Sequence, residues 1–141
     1  MGAQSWNETR WEQEYESLME IARRHLRPEW EFGQVLVVKT SKDQLHVAQI
    51  PDVQEPAVRE TLENRLVQTL AEVNDTEVFT CLATMNGKEP EIPSWNFRRR
   101  LMELNGKNIQ TQTFLWGGEE VIYLRSFERL MPPNYTIKKG T

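Results

Sequence analysis

The chain has 141 residues and a formal net charge of −4, an acidic balance that argues against non-specific binding to nucleic acid or anionic membranes. One cysteine, Cys81, excludes an internal disulfide and a cysteine-rich zinc site. No apolar stretch is long enough to span a membrane, and residues 1–10 lack the pattern of a secretion signal, so we expect a cytoplasmic protein.

The first half of the chain predicts two helices that flank a hairpin. Apolar residues recur at steps of three and four over residues 8–26, which is typical of a helix with one buried face. Residues 34–40 and 44–50 are rich in β-branched or alternating residues and predict a β-hairpin. A second helix is predicted over residues 56–73, where Pro56 suits the first turn. Its predicted buried stripe consists of Val58, Leu62, Leu66, Leu70 and Val73.

The second half predicts a strand, a short helix and another hairpin. Residues 77–85 carry apolar side chains on both faces, which indicates a central strand. Ser94 is a suitable N-cap for a third helix, and Asn105-Gly106 a suitable end. Strands over 108–116 and 119–127, joined at Gly117-Gly118, complete the pattern.

These elements predict an α+β fold in one domain that spans residues 1–141. The expected architecture is a mixed, mainly antiparallel sheet of about five strands, formed by two hairpins and a central strand and packed with three helices. The N-terminal helix covers residues 8–26, the sheet and helix core covers 34–127, and residues 128–141 form a C-terminal loop or tail.

An arginine run in the third helix is the most suggestive local feature. Arg98, Arg99 and Arg100 follow Trp95, and guanidinium groups with an aromatic ring can bind a nucleotide or RNA. Consecutive helical residues point about 100° apart, so the three arginines cannot all face one ligand. We therefore expect them to be the solvated flanks of a helix that buries Phe97.

The single cysteine, the two histidines and a pair of loop glutamates are the other residues with reactive side chains. Cys81 shares a strand face with apolar residues and is predicted to pack as a small hydrophobe. His25 and His46 have no metal-ligating neighbours in sequence, so neither a metal nor another cofactor is predicted. Glu89 and Glu91 lie in a loop, where a carboxylate pair could bind a cation or act as acid and base.

The sequence therefore favours a non-catalytic binding domain that acts through protein–protein contacts, with a homodimer as one expected form. Its support is the lack of a catalytic motif together with a surplus of tryptophan, a residue that often anchors interfaces. The predicted binding residues are Trp95, Arg98, Arg99 and Trp116. One alternative is nucleic-acid or nucleotide binding through the Arg/Trp patch of the third helix. A second is a small hydrolase-like enzyme that uses the loop carboxylates, with or without His46.

Overall fold

The structure, a computed structural model, describes residues 8–85, 91–116 and 121–127, with side chains from Tyr15 onwards except at 85 and 121–125. The third helix begins at Trp95, directly after the capping residue proposed from the sequence. In chain order the elements are α1 (Glu8–His25), β1 (Gln34–Thr40), β2 (Leu45–Ile50), α2 (Pro56–Glu72), β3 (Val78–Met85), α3 (Trp95–Leu104), a short 3-10 helix (Gly106–Gln110), β4 (Gln112–Trp116) and β5 (Val121–Ser126).

Within the described residues the strands form one five-stranded sheet in the order β2-β1-β3-β4-β5. The β1–β2, β1–β3 and β4–β5 pairs are antiparallel, and β3–β4 is parallel. A parallel pair requires a crossover connection, which α3 supplies. The prediction of an α+β fold with a mixed, mainly antiparallel sheet, two hairpins and a central strand is confirmed.

Helices pack on both faces of the sheet because alternate side chains of each strand point in opposite directions. On one face, Leu18 and Ala22 of α1 belong to a cluster with inward residues of β1 and β4, including Val35 and Phe114. On the other face, α2 and α3 pack against the opposite side of the strands. The buried residues of this second cluster include Leu36, Val38, Ala48, Ile50, Leu66, Leu70, Cys81, Ala83, Phe97 and Leu101.

The buried stripe of α2 differs from the predicted one. Leu66 and Leu70 are buried, but the side chains of Val58 and Val73 are 46% and 55% exposed. Val58 lies in the first turn and Val73 is the C-cap, so both flank the central turns that contact the rest of the protein. Glu63 takes a buried position on this helix instead.

The segment before β4 also differs from the prediction, which began a strand at Asn108. The chain forms a 3-10 helix there, and β4 begins at Gln112. The Asn108 side chain accepts a hydrogen bond from the Val78 N–H at 2.7 Å and donates to the Leu101 carbonyl at 2.7 Å. These contacts hold Asn108 between the end of α3 and the start of β3, where it cannot extend the strand.

No helix among residues 8–85, 91–116 and 121–127 is long and apolar enough to cross a membrane. The cytoplasmic location and the one-domain organisation stay predictions. The Gly117-Gly118 turn and the tail at 128–141 lie outside the described residues.

Candidate functional site

A buried carboxylate on α2 is the centre of the candidate site. Glu63 is 1% exposed and lies on the same helical face as Leu66 and Leu70, at spacings of three and seven residues. Desolvation by burial raises the pKa of the Glu63 carboxyl above its ordinary value, although the Ser94 hydrogen bond and the Arg59 charge oppose this shift. Glu63 is therefore poised to hold a proton at a higher pH than an exposed glutamate does.

Ser94 connects this carboxylate to the start of α3. As the N-cap, it accepts a hydrogen bond from the Phe97 N–H at 3.1 Å through its hydroxyl oxygen. The same hydroxyl donates to Oε1 of Glu63 at 2.7 Å. Ser94 is half-buried, whereas Glu63 is almost completely enclosed. Ser94 is thus the more accessible residue of this hydrogen-bonded pair.

Arg59 holds the other oxygen of the carboxylate. Its Nε lies 3.3 Å from Oε2 of Glu63, one helical turn along α2. Its Nη1 lies 3.1 Å from Oε1 of Glu91, a side chain that is 51% exposed. Glu91, a predicted acid or base, is therefore an ion-pair partner of Arg59, and Glu89 lies outside the described residues.

These three residues form what we call the Arg59–Glu63–Ser94 cluster. A hydroxyl bonded to a carboxylate that a third group orients is the arrangement by which proteins activate a hydroxyl or a water molecule. The cluster can accept a proton at Ser94, transfer it to Glu63 and return it. In the sequence, Ser94 is recognisable only as a helix cap, and neither Arg59 nor Glu63 stands out. The available signal was the spacing of Glu63 from Leu66 and Leu70, which places it on a buried stripe.

The expectation that the arginine run is solvated is wrong for Arg98. Its side chain is 5% exposed, and its Nε donates to the Pro93 carbonyl at 3.0 Å. The guanidinium carbon lies 5.4 Å from the centroid of the Trp95 ring, a cation–π distance. Arg98 turns inward because it precedes Leu101 by three residues and so shares its buried face. Desolvation by burial lowers the pKa of Arg98 from its ordinary value.

The four predicted binding residues do not come together. Arg99 is partly exposed and pairs with Glu103 of its own helix at 2.9 Å. Trp116 is 7% exposed and belongs to the α1 face, where the Arg23 guanidinium lies 5.2 Å from its ring centroid. Trp95, Arg98 and Arg99 lie instead on α3, across the sheet. A binding role for these residues, a protein partner, a homodimer and contact with nucleic acid all stay predictions.

The single cysteine and the second histidine have structural surroundings. Cys81 is fully buried, and desolvation raises the pKa of its thiol to about 12, which confirms its packing as a small hydrophobe. Nε2 of His46 lies 3.1 Å from Oδ2 of Asp75, which also accepts the Thr40 hydroxyl hydrogen bond at 2.8 Å. Within the part of the chain that the structure describes, no three His, Cys, Asp or Glu residues could hold a metal ion together.

Comparison with solved structures finds the same fold in two proteins of low sequence identity. A cytidine deaminase from Burkholderia pseudomallei superposes with a TM-score of 0.61 at 15% sequence identity, over 84% of this chain and 97% of that chain. The cytidine deaminase from Bacillus anthracis gives a TM-score of 0.58 at 14% identity, over 84% and 87% of the two chains. No protein-family model matches the sequence, and no curated protein matches it either.

The comparison corrects two predictions from the sequence. The non-catalytic binding domain acting through protein–protein contacts, and the interpretation against an enzyme, are contradicted because the neighbours of this fold are deaminases. At these identities the likeness establishes the fold. The prediction of a non-catalytic domain was wrong because the sequence contains no complete catalytic motif. The buried position of Glu63 is apparent only once α2 and α3 are packed together.

Proposed function

We propose that this chain is a hydrolytic enzyme that removes an amino group from a cytidine-like substrate, with Glu63 as the proton-transfer group. The observation that carries the proposal is the 2.7 Å hydrogen bond from the hydroxyl of Ser94, a half-buried residue, to the buried Glu63 carboxylate. The fold shared with two cytidine deaminases supports the reaction type and the substrate class.

The proposed chemistry is a proton relay through Ser94. An attacking water gives a proton to the Ser94 oxygen while the Ser94 hydroxyl proton passes to Glu63. The remaining hydroxide forms a bond to the ring carbon that carries the amino group, the electron pair of the ring C=N double bond moves to the ring nitrogen, and that nitrogen takes the proton back from Glu63 through Ser94. The proton of the new hydroxyl group then passes through Ser94 and Glu63 to the amino nitrogen. The bond between the carbon and that nitrogen breaks, so that one water is consumed, a carbonyl group forms and ammonia is released.

Arg59 orients the base in this scheme. Its Nε contacts Oε2 of Glu63 at 3.3 Å, which leaves Oε1 to Ser94, and its Nη1 contacts Glu91 at 3.1 Å. The raised pKa of Glu63 brings its proton affinity closer to that of a group that must both accept and return a proton near neutral pH. Burial and orientation of the Glu63 carboxyl therefore both favour the proton transfer between Ser94 and Glu63.

The test is ammonia release from cytidine, deoxycytidine and cytosine. Glu63→Gln keeps the shape of the side chain but cannot accept the proton, so we expect turnover to fall by about 100-fold or more. Glu60→Gln is the matched control, because Glu60 is an exposed residue of the same helix. It should retain full turnover.

Two results would contradict the proposal. One is equal turnover by the Glu63→Gln and wild-type proteins, since the carboxylate would then move no proton. The other is no ammonia from any of the three substrates with folded wild-type protein. Circular dichroism and gel filtration of each variant verify that the protein assayed is folded.

A further inference from the structure

A zinc ion is the usual catalyst in enzymes that remove an amino group from a nucleobase. Its three protein ligands are one histidine or cysteine and two further cysteines, and the sequence signature is His-x-Glu followed by Pro-Cys-x-x-Cys. The glutamate of this signature is not a ligand but moves protons beside the metal. The signature can therefore be compared with this chain residue by residue.

This chain keeps the glutamate and the proline of that signature but none of its metal ligands. When His-x-Glu is set against residues 61–63 and Pro-Cys-x-x-Cys against residues 93–97, Glu63 matches the glutamate and Pro93 matches the proline, and the Ser94–Glu63 contact brings the two segments together. The three ligand positions are then Thr61, Ser94 and Phe97. A phenyl ring supplies no donor atom, and neutral hydroxyls are poor zinc ligands compared with thiolate and imidazole.

The contacts of these residues also oppose a metal. The Thr61 hydroxyl donates to the Ala57 carbonyl at 2.8 Å, and Thr61 is exposed. Ser94 uses its hydroxyl oxygen as the helix cap. Phe97 is 0% exposed and belongs to the core cluster of α2 and α3, so its position is filled by packed hydrocarbon.

No other group nearby replaces the missing ligands in the part of the chain that the structure describes. Cys81 is the single thiol of the chain; it is fully buried, and desolvation raises its pKa to about 12, so that it remains a protonated thiol. Both guanidinium groups near the cluster already have partners, because Arg59 pairs with Glu63 and Glu91 and the Arg98 Nε donates to the Pro93 carbonyl.

We infer that the Arg59–Glu63–Ser94 cluster works without zinc, with the Arg59 guanidinium supplying the positive charge beside Glu63 and the Ser94 hydroxyl standing where a thiolate ligand would be. This inference goes beyond the proposed function because it concerns the metal content of the folded chain. It can be decided whether or not a substrate is found.

The experiment measures zinc in the untagged wild-type protein by mass spectrometry after purification with zinc in the medium. We expect less than about 0.1 zinc per chain, and the same melting temperature with zinc and with a chelator. A second protein, which we call the restored variant, carries Thr61→His, Ser94→Cys and Phe97→Cys and so contains all three metal ligands of the zinc signature. It should bind about one zinc per chain and give a thiolate–cobalt absorption band when Co²⁺ is added.

The outcomes separate the possibilities. One zinc per wild-type chain, or a wild-type melting temperature that falls with the chelator, would overturn the inference. A restored variant that folds but stays free of zinc would overturn the assignment of Thr61, Ser94 and Phe97 as ligand positions. If Phe97→Cys prevents folding, the wild-type measurements alone decide. Failure of the deaminase assay changes none of the conclusions drawn from the zinc content and the melting temperatures.

Discussion

Replacing Ser94 with alanine tests the connection between α2 and α3. The change removes the acceptor of the Phe97 N–H at the helix cap, which costs about 1 kcal/mol. It also removes the donor to Glu63, a carboxylate that is 1% exposed, and a buried polar group left without its partner costs about 1–3 kcal/mol. We therefore expect Ser94→Ala to lower the free energy of unfolding by about 2–4 kcal/mol.

Urea unfolding followed by tryptophan fluorescence measures this loss, and a double-mutant cycle separates its two parts. In a Glu63→Met background the buried carboxylate is absent, so Ser94→Ala should cost only the cap, about 1 kcal/mol. The difference between the two backgrounds is the interaction energy of the Ser94–Glu63 pair. Ser41→Ala is the control for a serine in an exposed turn and should change stability by less than about 0.5 kcal/mol.

An additive double-mutant cycle would contradict the predicted Ser94–Glu63 interaction. An equal cost of Ser94→Ala in the wild-type and Glu63→Met backgrounds would mean that the hydroxyl and the carboxylate do not interact in solution. A total cost below about 0.5 kcal/mol would further mean that Ser94 does not cap α3 effectively. The proton relay through Ser94 would then have no structural basis.

Two further predictions concern Glu63 and Cys81. Because burial raises the folded-state pKa of Glu63, its protonated form contributes stability that is full below the ordinary carboxyl pKa and is lost as pH rises through the raised pKa. The unfolding free energy of wild type minus that of Glu63→Gln should therefore decrease with pH, by at most about 1.4 kcal/mol per pH unit, whereas Glu60→Gln should show no such trend; an increase with pH would contradict the assignment. The Cys81 thiol is fully buried, and burial raises its pKa to about 12. It should therefore react with a disulfide reagent at pH 8 at least about 100-fold more slowly in native than in urea-unfolded protein. Similar rates in the two states would contradict this prediction and show that β3 opens readily.

The sheet could be predicted from the sequence because its signals are local. Strand β3 carries apolar residues on both faces, and this pattern occurs where helices cover both sides of a strand. Ser94 was recognised as a cap because its hydroxyl meets a backbone N–H three residues later, which depends on the helix alone. Such features need no knowledge of which elements meet in space.

The candidate site could not be predicted because it joins residues of different elements. Glu63 resembles the exposed glutamates of α2 until Ser94, the cap of α3, is placed beside it, 31 positions away in sequence. Arg98 resembles its two partly exposed arginine neighbours until the packing of Leu101 turns it inward. Charged residues are rarely buried, so a statistical preference for the surface gave the wrong expectation for Arg98 and no reason to single out Glu63.

The Asn108 side chain has a consequence for how the chain can vary in length. It forms hydrogen bonds with the Val78 N–H, the Thr76 carbonyl and the Leu101 carbonyl. These bonds connect the C-terminal end of α3 to the beginning of β3. The segment from β3 through α3 to β4 is in effect a closed ring. Insertions at the hairpin turn around Lys42 would leave this ring intact, whereas one extra residue between Asn105 and Asn108 would move Asn108 away from all three partners. The ring, and with it the position of Ser94, therefore depends on a fixed number of residues in the connection.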